Sequence, residues 1–101
     1  MVSRLELHEE LCNLLGSRNV YFQPPATVIM RYPAIVYRTY AIDNNHADNI
    51  PYLQFHGYEI TVIDYNPDSK FSEAVSKLPL CRFNRSYASD GLNHFVYVLY
   101  Y

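Results

Sequence analysis

The chain has 101 residues, eight Lys and Arg against ten Asp and Glu, a formal charge of −2 and a pI near 6.0. That length leaves room for one domain, residues 1–101, with a modest core that needs no staples. Sparse, scattered basic residues exclude a surface that grips nucleic acid through its phosphates.

The apolar half of the composition leans on eleven Tyr beside five Phe, with no Trp. Tyrosine has a ring that favours burial and a hydroxyl that needs a partner or water. It suits subunit contacts, and it equally suits the exposed face of a sheet. Composition leaves these two readings open. Cys12 and Cys81 lie far apart without a CxxC and read as reduced, partly buried apolar residues of a reducing compartment. The N-terminus "MVSRLELHEEL" is charged and amphipathic, unlike a signal peptide, and no apolar run reaches membrane-spanning length.

In chain order, Ser3 and Glu6 have the capping-box spacing, Leu7, Leu11, Leu14 and Leu15 recur at helical spacing, and Gly16 supplies a stop. A helix over residues 4–15 follows. "NVYFQPP" is an edge strand or a plain connection, because Pro24 and Pro25 cannot donate ladder bonds. "AIVYRTYAI", 34–42, reads as a strand, and "DNNHADNIP", 43–51, as a polar loop. "YLQFHGYEITVID", 52–64, is a long strand whose apolar phase flips at His56–Gly57. A bulge there would hold Leu53, Phe55, Tyr58, Ile60 and Val62 on one face.

"NPDSKFSEAVSKLP" encodes a second, short helix capped by Asp68 or Ser69, with Phe71, Ala74, Val75 and Leu78 as its stripe and Pro79 as its end. Asp90–Gly91 marks a hairpin between 80–89 and 92–101. The order predicts an α+β fold: an antiparallel sheet of about four to five strands, with both helices packed on one face.

Catalytic constellations are not visible. His8 and Cys12 share a helix flank, but a structural zinc site needs four ligands. Cys81, His94 and Asp90 supply the types for a thiol nucleophile and its base, yet no nucleophile turn surrounds Cys81. Three glycines leave no phosphate-cradling loop. The expectation is a protein that is not an enzyme, with no metal and no cofactor.

The segments "YPAIVY", "DNNHADNIPY", "TVIDYNPDS" and "LPLCRFNRSYASDGLNHFVYVLYY" together resemble small neck and tail-completion proteins of tailed bacteriophages, the tail-terminator and tail-to-head joining group. The resemblance covers residues 21–101 and leaves the first helix outside. It implies antiparallel strands with two helices and a homo-oligomeric ring, a hexamer in such groups. That ring would close the tail tube and meet the head–tail connector in the virion neck. DNA would pass through without specific binding, and no membrane would be involved.

On that reading Tyr52, Phe55, Tyr100 and Tyr101 are expected at subunit contacts, and Asp43, Asp48, Asp64 and Asp68 on the rim of the channel. A connector or stopper subunit of the neck is the alternative within the class. A small intracellular ligand-binding domain or enzyme is the alternative outside it.

Overall fold

A computed structural model describes residues 4–40 and 57–101. The leucine spacing at the N-terminus forms helix α1, Arg4–Leu15, which buries Leu7, Leu11, Cys12 and Leu15. Gly16 ends it with φ +78°, and its N–H reaches the Cys12 carbonyl at 2.9 Å. A side chain in that left-handed conformation would be strained, so glycine is the natural stop. The chain then enters strands β1 (Val20–Phe22), β2 (Ala34–Thr39) and β3 (Gly57–Asp64).

Helix α2 follows at Lys70–Ser76. Of the two expected caps, Ser69 takes the role, its hydroxyl accepting from the Ser72 N–H at 3.3 Å. Strands β4 (Cys81–Ser89) and β5 (Leu92–Tyr100) complete the chain as a hairpin. Asp90 and Gly91 both carry positive φ, +54° and +76°. Two such residues are what a tight turn of the right twist demands.

The described strands form one sheet in the order β1-β2-β3-β5-β4. The fold is α+β, with a mixed sheet in place of the expected antiparallel one. β2, β3, β5 and β4 are antiparallel neighbours, but β1 runs parallel to β2. The cause is the connection over residues 23–33. Pro24 and Pro25 forbid a tight return, and the longer segment carries the chain back to the end from which β1 started.

The two helices meet one face of the sheet, but from its two ends. They lie toward the two ends of the sheet, α1 against β1 and β2, and α2 against β4 and β5. Chain connectivity explains this. The turn after α1 leads straight into β1, whereas α2 links β3 to the far strand β4 and leaves a gap that β5 fills.

One apolar cluster joins these parts. Leu7, Leu11, Cys12 and Leu15 of α1 and Val75 of α2 meet Val20, Ile35, Tyr37, Tyr58, Ile60, Val62, Tyr97 and Leu99. Leu14, Phe71 and Leu78 pack against it partly buried. The cross-strand register explains the membership. Ile35 pairs with Val62, Tyr37 with Ile60, and Ile60 with Tyr97, so alternating residues of three strands share one face.

Three tyrosines fasten the helices to this face. The Tyr37 ring is fully buried, with its hydroxyl 3.1 Å from Arg4 Nη1 and 2.8 Å from His8 Nδ1. The Tyr97 hydroxyl lies 2.6 Å from Ser72 Oγ and donates to the Ser72 carbonyl at 3.1 Å. The Tyr101 hydroxyl donates to Glu10 Oε2 at 2.6 Å. Burying a phenol without a partner is costly, and the buried Tyr37 and Tyr97 each have one on a helix, while Tyr101 adds an exposed bond to α1.

Truncating Leu11, which is fully buried, to Ala is expected to cost about 2–5 kcal/mol. Replacing Tyr97 by Phe removes a buried hydroxyl and strands Ser72 Oγ, which is expected to cost about 1–3 kcal/mol. Urea unfolding monitored by circular dichroism measures both. An unmoved midpoint for either would contradict the packing described.

Candidate assembly interface

Among the described strands, β4 of the hairpin β4–β5 carries the longest run of exposed residues. β5 is held on both sides, by β3 and by β4, while β4 has only β5 beside it. Residues 82–89 are all exposed. Among the described residues, nothing pairs with the outer side of β4. The opposite sheet edge differs: β1 is three residues long and runs into Pro24 and Pro25.

Register gives β4 its chemistry. Arg82 pairs with Val98 and Phe83 with Tyr97, but the next pair is Arg85 with Val96, so Asn84 is an inserted residue. Strict alternation would send Arg82 and Arg85 to opposite faces. The bulge adds one residue and returns Arg85 to the Arg82 face, with Tyr87 following it. On this face the Tyr87 ring stacks on His94, 4.6 Å between centroids and 9° from parallel. The Arg85 guanidinium lies 5.9 Å from the Tyr87 centroid, at the limit of a cation–π contact. On the other face Phe83 meets Tyr97 edge-on at 5.5 Å and keeps 54% of its surface exposed. No acidic residue occurs from 81 to 89. The edge is therefore basic on one face and aromatic on both.

The residues singled out from the sequence fall in different places. Tyr52, Phe55, Asp43 and Asp48 lie outside the described residues, as does the expected bulge at His56. Tyr100 is 38% exposed, and its ring lies against Gly57, where an added Cβ would come within 3.2 Å of Cε1. Tyr101 packs partly buried against the core and bonds to Glu10. Its ring is thus held by its own chain. Asp64 is buried at the end of β3, where its carboxylate accepts from the Asn66 N–H at 3.2 Å. Asp68 is exposed two residues beyond Asn66, whose side-chain oxygen accepts its N–H at 2.8 Å. Both aspartates belong to one turn between β3 and α2. Asp64 pairs with Asn93 while Gly57 pairs with Tyr100, which puts that turn and Tyr100 at opposite ends of the ladder. Seven residues of strand separate them, roughly 23 Å.

Arg82, Phe83, Arg85 and Tyr87 were not singled out in the sequence. Their exposure depends on β4 being outermost, and an Asp–Gly turn signals a hairpin without saying which strand joins the rest of the sheet. The broken alternation across "RFNRSY" was the available signal for the bulge.

The chemically reactive types are dispersed. Cys81 pairs with Leu99 on the core face and burial raises its thiol pKa, whereas His94 pairs with Tyr87 on the other face five residues along β5. Asp90 is in the turn beyond them. His8, near Cys12 in sequence, bonds instead to Tyr37. Its pKa is lowered, first by burial and then by the Arg4 charge. Among the described residues no three His, Cys, Asp or Glu side chains are grouped to hold a metal ion. No described helix is long and apolar enough to cross a membrane.

Comparison with protein-family models, curated proteins and solved structures finds no match for this chain.

The Tyr101–Glu10 bond yields a pH test. The hydrogen bond to Glu10, then burial, then the charges of Glu10 and Glu6 push the Tyr101 phenol from 10.0 up to about 12. The folded chain therefore holds this proton more tightly than the unfolded chain. The resulting stabilisation is complete below pH 10 and fades as pH rises toward 12. Compared with Tyr101→Phe, the native chain should be more stable at pH 9, and the difference should vanish by pH 12. Chemical unfolding of both proteins across that range measures it. A difference that grew with pH would contradict the bond.

Proposed function

We propose that this chain is a structural subunit of a tailed-phage neck: a ring-forming tail terminator or tail-completion protein that closes the tail tube and joins it to the head–tail connector. The observation that carries the joining role in this reading is the open β4 edge, with Phe83, Tyr87 and Tyr100 exposed along the hairpin. An unpaired edge strand of this length is a surface that another protein can cover. The resemblance over residues 21–101 supplies the particular assembly. The dispersal of Cys81, His94 and Asp90 agrees with a protein that acts by shape and contact.

A neck component must hold its fold before assembly and offer surfaces to successive neighbours. The core here is anchored from within by its tyrosines, while the hairpin edge stays available. The charge of −2 suits a ring through which DNA slides.

Light scattering after size exclusion, with electron microscopy of the purified protein alone and with its tail-tube protein, tests the proposal. The expected outcome is a closed ring, or a ring that forms when tail tubes are added and stops their growth. A protein that stays monomeric with tail tubes, and leaves their length distribution unchanged, would overturn it.

A further inference from the structure

We propose that the outer edge of β4 is a docking site for an extended acidic segment of a different protein, which adds to the sheet as a sixth strand. This rests on the chain being an assembly component, whichever assembly that is. β4 is nine residues long, has one strand neighbour among the described residues, and is exposed from Arg82 to Ser89. An unpaired edge of that length presents backbone N–H and C=O groups that an extended peptide can satisfy.

The charge pattern selects the occupant. The Asn84 bulge places Arg82 and Arg85 on one face, opposite Val98 and Val96, which are two residues apart on β5. A strand added alongside would complement them with carboxylates at alternate positions, since alternate residues share a face. On the other face Phe83 is half-exposed and calls for an apolar neighbour. The matching segment alternates acidic and apolar residues.

A second copy does not fit this description. None of the ten Asp and Glu of these 101 residues stands two positions from another. A second β4 would bring two more arginines and no carboxylate. Like charges on paired strands repel, so the same arginines that favour an acidic strand disfavour self-pairing. The short β1 edge, ended by Pro24 and Pro25, cannot supply the strand either.

The probe is an acetylated, fluorescein-labelled peptide of about nine residues, long enough to match β4, that alternates Glu and Val. Its counterpart alternates Lys and Val. Fluorescence anisotropy at low salt should show the Glu peptide binding below about 1 mM and the Lys peptide at least about tenfold more weakly. Amide shifts on binding should concentrate in residues 81–89. Arg82→Gln with Arg85→Gln should weaken the Glu peptide about tenfold and flatten its salt dependence. Arg82→Glu with Arg85→Glu should reverse the preference between peptides. Circular dichroism establishes that each variant is folded. Absence of binding at about 1 mM, equal affinity for both peptides, or shifts centred elsewhere would each overturn the proposal. The outcome is independent of ring formation, so failure of the neck reading and failure of this one are separately visible.

Discussion

A buried phenol must have its hydroxyl satisfied, and in this chain that requirement ties each helix to the sheet. The side-chain partners of Tyr37 and Tyr101 lie on α1, and those of Tyr97 on α2. Apolar packing is non-directional and by itself fixes the position of a helix less sharply than a directional bond does. A buried hydroxyl that must meet His8 or Ser72 removes that freedom, and the exposed Tyr101–Glu10 bond adds to it. The Tyr37 hydroxyl can accept from Arg4 while donating to a neutral His8, which agrees with the lowered pKa of that histidine. Tyr37, Tyr58 and Tyr97 thus serve the interior. The exposed tyrosines, Tyr65, Tyr87 and Tyr100, are a separate population.

Connectivity then decides which strand is left outside. β3 and β4 are both antiparallel to β5, so they run parallel to each other with β5 between them. A parallel pair needs a crossover, and α2 is that crossover. The helix carries the chain past the place where β5 will lie, and the Asp90–Gly91 turn brings it back into the gap. β5 becomes an inner strand flanked on both sides, with Val96, Tyr97, Val98 and Leu99 all buried, while β4 is left at the margin.

Local features were legible where a residue type has one dominant physical use. The leucine spacing and Gly16 located α1 at residues 4–15, and Ser69 and Asp90–Gly91 marked real boundaries, whereas α2 ends at Ser76, three residues before Pro79. The α+β class followed from that order of elements. Long-range features were not legible. The parallel placement of β1 depends on where a long connection delivers the chain. The insertion of β5 between β3 and β4 depends on competition between two strands for one edge. The role of Tyr101 depends on Glu10, ninety-one residues earlier, a separation across which no spacing rule operates. Of the candidate contact residues, Tyr100 and Tyr101 lie on opposite sides of the strand end, as period-two alternation requires, so they have different surroundings despite their adjacency.

The two margins of the sheet are unequal, and this has a consequence for growth. Repeated stacking of one molecule through its sheet requires a donor margin and an acceptor margin of comparable length. Among the described residues one margin is nine residues long and the other three, closed by imino acids. A strand laid on the first finds no equivalent margin on the second from which to continue. Margins this unequal terminate such a ladder instead of propagating it.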